Sequence, residues 1–353
     1  MKTVIEISGR KVGPGHPCYI VAELSANHGH SFERAVELVH AAGRAGADAV
    51  KLQTYTADTI TIDSGRPEFV IGANSLWSGR KLHDLYQEAH TPWEWQPRLK
   101  EVAESLGMHC FSTPFDDSAV DFLEGMGVPA HKVASFELVD SRLLRKVAAC
   151  GKPVIMSTGM ADPGEISDAV RALRSAGCRE LALLKCTSAY PAPPEEMNLR
   201  TIAHLSETYG VPCGLSDHSI GIAVPVAAVV LGATLIEKHL TLRRSDGGPD
   251  AGFSLEPGEF AEMVRSVRTA EHAVGTVCYE PGAAEIGSRR FRRSLYVVRQ
   301  VREGEPFTCD NIRSIRPADG LAPSMMDLVL GRRASRSIEA GTPLSFCMCG
   351  APL

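Results

Sequence analysis

The sequence predicts an α/β fold: a (β/α)8 TIM barrel followed by a small C-terminal domain of short strands. Three observations carry that prediction. Apolar, strand-like runs alternate with helix-periodic segments eight times within roughly 250 residues, the length and rhythm of a closed eightfold barrel. Polar residues gather at the carboxyl ends of those runs, where barrel enzymes carry their chemistry. After the helix-periodic stretch from Pro257 to Val274 the rhythm breaks, and short strands with turns replace it. An open doubly wound sheet would share the alternation, but its first strand-helix turn should carry a Gly-rich fingerprint. The lone Gly13-Pro14-Gly15 precedes the strand and reads as a turn.

Taken in order, the opening segments Lys2 to Ile7 and Lys11 to Val12, around Ser8-Gly9-Arg10, predict a small hairpin that caps the barrel floor. The eight strands are then expected from Cys18 to Leu24, Ala49 to Tyr55, Met108 to Pro114, His131 to Glu137, Pro153 to Gly159, Leu181 to Ser188, Val211 to His218 and Leu235 to Leu242. Helices are expected from Phe32 to Ala45, Ser141 to Ala149, Pro163 to Ala176, Leu199 to Tyr209 and Pro257 to Val274. Several stop at glycine (Gly46, Gly151, Gly177, Gly210), which takes the left-handed cap conformation without a Cβ penalty.

A long aromatic and basic insertion follows the second strand, with Trp77, Arg80 and Lys81, then Thr91-Pro-Trp-Glu-Trp95. Packing is its simplest role; its position also makes it a rim over the site. The domain division is 1–275 for the barrel, 276–291 for a linker and 292–353 for the small domain. Roughly sixty residues make a marginal core, so the small domain is expected to lean on a neighbour, and another subunit is one candidate.

The 353 residues carry a formal net charge of −5, so no global basic field points to nucleic acid. No charged-then-apolar leader opens the sequence and no uninterrupted apolar run of about 18 residues follows, which leads to the expectation of a cytoplasmic protein without a membrane span. The 10 cysteines lack CxxC spacing and read as reduced core thiols.

The polar residues at the strand ends are, in order, Glu23, Lys51 and Gln53, Thr113, Lys132 and Ser135, Ser157, Ser188 and Tyr190, Ser216 and His218, then Lys238 and His239. Lysines inside apolar strands are the sharpest signal, because an unpaired ammonium is costly to bury. Lys51 and Lys132, with hydroxyls and strand-end amides around them, suit a socket for a phosphate or carboxylate. The plainer reading pairs each with a local Asp or Glu. Ser216 and His218 are two apart, as are Lys51 and Gln53, so each pair faces one side of its strand.

A single histidine in an apolar strand is usually a satisfied core residue. Two at matching heights of adjacent strands, His218 and His239, suggest a divalent cation completed by water and substrate oxygens. Manganese or magnesium then fits better than structural zinc. Glu23 is placed to position or deprotonate a water, or to pair a strand lysine. Asp250 lies on the loop after the eighth strand, where a turn and a substrate contact are both open. The basic run from Arg289 to Arg293 reads as a solvated linker, with support of an anionic pocket as the second reading; Arg316 by itself says little.

Taken together, Ala22-Glu-Leu-Ser-Ala-Asn-His28, Val50-Lys-Leu-Gln53, Phe111-Ser-Thr-Pro-Phe115 and Lys132-Val-Ala-Ser-Phe-Glu137 resemble the sialic acid synthase family. So do Ser157-Thr-Gly-Met160, Cys186-Thr-Ser-Ala-Tyr-Pro191, Gly214-Leu-Ser-Asp-His-Ser219 and Glu237-Lys-His239, and the likeness runs from end to end. The first of these motifs, the Trp77 and Thr91-Pro-Trp-Glu-Trp95 insertion, and Arg289-Arg-Phe-Arg-Arg-Ser-Leu-Tyr296 are most similar to the pseudaminic branch. The resemblance implies condensation of phosphoenolpyruvate with an open-chain amino sugar, 2,4-diacetamido-2,4,6-trideoxy-L-altrose for that branch, giving a nine-carbon 2-keto acid and phosphate. It implies a divalent metal on His218 and His239 (manganese or magnesium, with cobalt a further candidate). It implies phosphoenolpyruvate held by Lys51, Thr113, Lys132, Ser135, Ser157, Ser188 and Ser216.

Glu23 would position the water, and Asp250, Tyr190 and Gln53 would meet the sugar or a metal-bound water. It further implies an antifreeze-like SAF domain with a β-clip fold, swapped across a homodimer so that Arg316 reaches the partner's site and an N-acetyl carbonyl. One departure bears on Ser188, which stands where the neuraminic branch has Asn, so its phosphate contact rests on less. Legionaminic or N-acetylneuraminic acid synthesis, a metal-dependent keto-acid aldolase, and a non-catalytic carbohydrate-binding barrel are the alternatives.

Overall fold

A computed structural model describes residues 4–72 and 77–350. The chain forms two compact units, residues 1–275 and 276–353. In the first, β1 (Ile5–Ile7) and β2 (Arg10–Val12) make an antiparallel hairpin. Its turn residues Ser8 and Gly9 both have positive φ (45° and 82°), the conformation a two-residue hairpin turn requires.

Eight strands follow and close a parallel barrel: β3 (Tyr19–Glu23), β4 (Ala49–Thr54), β5 (His109–Pro114), β6 (His131–Val133), β7 (Val154–Ser157), β8 (Leu181–Cys186), β9 (Cys213–Asp217) and β10 (Leu235–His239). β10 pairs with β3, which completes the ring and removes every sheet edge.

Helices Phe32–Ala45, Ser141–Ala149 and Pro257–Val274 run between the residues the sequence predicts, and Pro163–Ser175 and Thr201–Tyr209 differ from prediction only at one end. Their termini are chemically defined. Ser31 accepts a bond from the Arg34 amide, Asp162 and Glu165 cap each other's backbone, and Gly46 and Gly210 take left-handed φ of 88° and 64°. Except for β5, which ends at Pro114 as predicted, the barrel strands are shorter than predicted at their carboxyl ends: Ser135, Ser188 and His218 lie just past β6, β8 and β9, where the backbone turns out of the ladder.

The period-2 pattern of the strands sorts the barrel into layers. Tyr19 and Val21 of β3, Ala49 of β4 and Leu235 of β10 share one buried interior cluster with Phe111, Ile155 and Leu184. Ile5, Ile7 and Val12 of the hairpin join that cluster and plug the amino-terminal end. The next inward positions on the same strands are Glu23, Lys51 and Gln53, Glu237 and His239. The interior is therefore apolar below and charged above. The alternate residues, such as Ile20, Ala22, Val50, Leu52 and Ile236, pack outward under the helices in a second core.

Gly214 lets β9 approach β10. A Cβ there would overlap the Leu235 carbonyl oxygen, and the backbone has nowhere to retreat within a closed ring. Gly214→Ala is expected to cost roughly 1–3 kcal/mol by overpacking. The check is a urea unfolding midpoint, and an unchanged midpoint would refute the close approach.

The second unit contains β11 (Ser294–Val297) and β12 (Ile312–Ile315), paired antiparallel. Elsewhere in this unit the short strands expected of it are isolated bridges, among them Pro306 to Arg333 and Tyr296 to Pro343. Proline has no N–H to extend a ladder, which accounts for both. This unit has its own core of Leu295, Val297, Val301, Phe307, Ile312 and Leu344. Within the stretch read as an irregular linker lie two short helical turns, Ala283–Ile286 and Gly287–Phe291. The expectation of core thiols needs correction for Cys278, Cys309 and Cys347, which are exposed, although no cysteine is in a disulfide. No helix among the described residues is long and apolar enough to cross a membrane.

Candidate active site

The carboxyl-end mouth of the barrel holds four buried charges. Glu23 and Lys51 are direct neighbours in the β3–β4 register, and their carboxylate and ammonium lie 2.5 Å apart. Lys51 also donates to the Thr113 hydroxyl at 3.2 Å and lies 3.7 Å from Glu237. Lys132 lies 3.6 Å from the same Glu237 oxygen, and Ser216 donates to that oxygen at 3.1 Å.

Both predicted interior lysines thus meet carboxylates, as the plainer reading of the sequence had it. They do so around a shared Glu237, so the second ammonium is held at a longer distance than a tight ion pair. Two carboxylates balance two ammoniums. A dianion or trianion arriving here would meet lysines already desolvated and oriented.

Burial sets the electrostatics. It raises the Glu23 carboxyl to about 7, against the pull of Lys51 and with the like charge of Glu237 adding to the rise. Lys132 is pulled below its ordinary value by burial, and Glu237 only partly restores it. For Lys51, burial is outweighed by Glu23 and Glu237, which favour the charged form. Gln53 donates to Glu23 at 3.1 Å and leans on Ser25, whose hydroxyl in turn donates to Asp250. Burial raises the Asp250 carboxyl, with Ser25 opposing it.

His218 and His239 face the same space, with ring centroids 5.4 Å apart. The two rings differ in protonation. His218 Nδ1 lies 3.0 Å from the Thr187 carbonyl, which can only accept, so Nδ1 carries a proton. Burial disfavours charge on His218, but contacts with Cys186 and the Thr187 carbonyl outweigh it and make the ring more basic. His239 is held well below its ordinary value by burial and then by His218 and the lysines, so it is neutral.

Its Nδ1 is buried with no hydrogen-bond partner among the described residues. One neutral imidazole with an orphaned nitrogen beside another whose outer nitrogen is tied to a carbonyl is a donor set that fits a divalent cation. Among the described residues no third His, Cys or carboxylate closes a tight cluster with the pair, which leaves positions for water and substrate.

Opposite the glutamates is a polar cradle. Ser135 and Ser188 share a hydrogen bond of 2.9 Å, and Gly159 sits so close that a Cβ would overlap Ser135. The Ser157 hydroxyl is fully buried and has no partner among the described residues. The orphaned Ser157 hydroxyl keeps a donor that no described residue satisfies.

Tyr190 stacks on His218 at 4.4 Å between centroids, and Phe253 lies 4.9 Å from His239. The mouth thereby gathers Glu23, Lys51, Gln53, Thr113, Lys132, Ser216, both histidines, Tyr190 and Asp250. Arg316 belongs to the other unit, exposed just beyond β12. Lys238 points outward and pairs with Asp217, so it takes no part.

Two residues that sequence reasoning did not single out for the site belong to it. Glu237 joins both lysines and was legible by parity, two before His239 on one strand. Phe253 lies 14 residues beyond His239 and carried no such signal.

The NeuB family model matches residues 38–279 and the SAF domain model matches residues 292–348. The chain is 44% identical over 326 residues (92% of this chain, 95% of the relative) to a pseudaminic acid synthase of Campylobacter jejuni subsp. jejuni. It is 36% identical over 346 residues (94% of each chain) to an N,N'-diacetyllegionaminic acid synthase of Legionella pneumophila. Among solved structures, an N-acetylneuraminic acid synthetase from Leptospira borgpetersenii serovar Hardjo-bovis in complex with citrate superposes with a TM-score of 0.72. It shares 32% identity, covering 82% of this chain and 95% of the other. An eightfold barrel with two lysines, two glutamates and a histidine pair at its mouth, matched along most of its length to these synthases, belongs to the NeuB family.

Proposed function

We propose that this chain condenses phosphoenolpyruvate with 2,4-diacetamido-2,4,6-trideoxy-L-altrose and water to give pseudaminic acid and phosphate. The observation that carries the reading is the pairing of an anion socket with a histidine pair at one barrel mouth. Lys51 and Lys132 share Glu237, Ser157 offers an orphaned hydroxyl, and His218 and His239 face one space, with Nδ1 of His239 left without a partner among the described residues. The higher identity to the pseudaminic synthase, 44% against 36% for the legionaminic one, supports the branch.

Lys51, Thr113, Lys132, Ser135, Ser157, Ser188 and Ser216 hold the phosphate and carboxylate of phosphoenolpyruvate. His218 and His239 would hold the divalent cation, manganese or magnesium with cobalt a further candidate; when bound it supplies Lewis-acid polarisation and a template for the aldehyde oxygen. Gln53, Tyr190 and Asp250 orient the sugar. C3 of the enol then bonds to the aldehyde carbon as the C=O π pair passes to its oxygen, which takes a proton from solvent water. Positive charge at C2 is stabilised by the carboxylates facing it. Glu23 positions a water that adds at C2; the C2–O bond to phosphate then breaks with its electron pair leaving on phosphate, which takes the proton of the new C2 hydroxyl as that oxygen becomes the ketone. The raised carboxyl of Glu23 suits it to take that water's proton near neutral pH.

The proposed assembly is a homodimer in which the SAF unit, residues 292–353 after a 276–291 linker, is exchanged and the partner's Arg316 meets an N-acetyl carbonyl. Exposed Phe136, Val139, Met160 and Ile220, on the loops after β6, β7 and β9, give the barrel mouth an apolar rim that supports such a lid. The proposed compartment is the cytoplasm, which accords with thiols that form no disulfide.

The test is a panel of amino sugars with phosphoenolpyruvate, reading free phosphate and product mass. The pseudaminic precursor should release phosphate and yield a nine-carbon keto acid. Release with only a legionaminic or N-acetylmannosamine-type sugar would move the branch, and no release with any sugar would refute the reaction.

A further inference from the structure

The insertion after β4 does more than pack. Of its other tryptophans, Trp93 donates to the Tyr55 carbonyl at 3.2 Å and stacks on Phe122, and Trp95 lies against His28 and Phe32. Those two are structural. Trp77 is different: its indole N–H donates to the Pro249 carbonyl at 3.1 Å, and its ring lies 5.8 Å from Tyr190.

Tyr190 in turn stacks on His218. The contact with Pro249 ties the insertion to the loop that carries Asp250, across 172 residues of sequence. Three aromatic rings, Trp77, Tyr190 and Phe253, therefore form one wall that begins at the histidines and ends at the half-buried indole.

The geometry points to Trp77 as a specificity-determining residue that selects an amino sugar whose far terminus is a methyl rather than a hydroxymethyl group. This rests on the reading of the site given above. With the aldehyde carbon at the histidines, the far end of an extended six-carbon chain lies about 6 Å away, five C–C bonds of roughly 1.5 Å in zigzag. That reach brings it along Tyr190 toward the indole face. An aromatic face favours C–H groups and gives a hydroxyl nothing to bond, so the 6-deoxy end is preferred and the 6-hydroxy end pays for its lost water. The indole N–H donates to the Pro249 carbonyl, which fixes the ring in the wall beside Tyr190.

The experiment compares wild type, Trp77→Ala and Trp77→Phe with phosphoenolpyruvate and two probes: 2,4-diacetamido-2,4,6-trideoxy-L-altrose and its 6-hydroxy analogue. Wild type should prefer the deoxy sugar. In Trp77→Ala the KM for the deoxy sugar should rise roughly three- to tenfold while the KM for phosphoenolpyruvate and for the 6-hydroxy sugar stay put, so the preference narrows. Trp77→Phe, with a smaller ring and no N–H, should fall between, and it carries the test if the alanine variant does not fold. Wild-type turnover with an unchanged sugar preference in the folded variant overturns the role of Trp77 and leaves the reaction standing. Wild type that releases no phosphate with either sugar overturns both.

Discussion

Replacing either His218 or His239 with alanine is expected to lower phosphate release by roughly a thousandfold or more, because both aldehyde activation and substrate orientation depend on the cation that the pair would hold. The same variants should lose divalent metal, measured per chain by elemental analysis after gel filtration, so the result does not rest on activity alone. Chelation of the wild-type enzyme should mimic them, and added manganese or magnesium should restore it.

The fold should tolerate the change. His239 is a buried neutral ring whose Nδ1 has no partner among the described residues, and removing an unsatisfied polar atom offsets part of the cavity left against Phe253. His218 gives up one hydrogen bond to the Thr187 carbonyl, worth about 1 kcal/mol. A His239→Ala protein that kept its metal and its turnover would remove the histidine pair from the mechanism.

The barrel was legible because its signal is periodic. Strand after strand alternates an outward residue for the helix layer with an inward residue for the interior, and glycines such as Gly46 and Gly210 stop the helices where the sequence places them. The same parity placed Ser216 with His218 and Lys51 with Gln53, and the structure puts Lys51 and Gln53 on Glu23 together.

What parity cannot supply is stagger between strands. Closure sets β10 beside β3 with His239 level with Glu23, and β3 beside β4 with Glu23 level with Lys51. That offset decides which carboxylate each lysine meets. Glu237 as the shared partner of Lys51 and Lys132 follows from stagger, since the three residues stand on β10, β4 and β6. Lys238 shows the reverse case. It occupies a strand end, yet its parity turns it outward, where Asp217 receives it. The sequence also offered no way to join Trp77 to Pro249, because long loops are positioned by whatever their tips touch.

That outward pair carries the second large effect, on stability. Lys238 and Asp217 are neighbours in the β9–β10 register, their charged atoms lie 2.5 Å apart, and both side chains are wholly buried. The pair is fully bonded: Asp217 also accepts from the Ser219 amide at 2.9 Å, and Lys238 donates to the Ser219 carbonyl. Burial lowers the Lys238 ammonium and Asp217 restrains that fall, so the lysine keeps its charge because of its partner. Removing one partner, as in Lys238→Met or Asp217→Asn, strands a charge in the barrel wall and is expected to cost about 3–5 kcal/mol. The double variant should recover much of this, since no buried charge is then left without its counter-charge.

Urea unfolding of the two single variants and the double variant measures the coupling directly. Costs below about 1 kcal/mol, the range of exposed ion pairs, would contradict it. The pair has a consequence for chemistry as well. Asp217 and Lys238 immediately precede His218 and His239, so the ion pair pins the two strand ends at the height where the imidazoles meet. The single variants should therefore bind divalent metal more weakly than wild type even where they remain folded, and the double variant should regain stability without regaining all of that affinity.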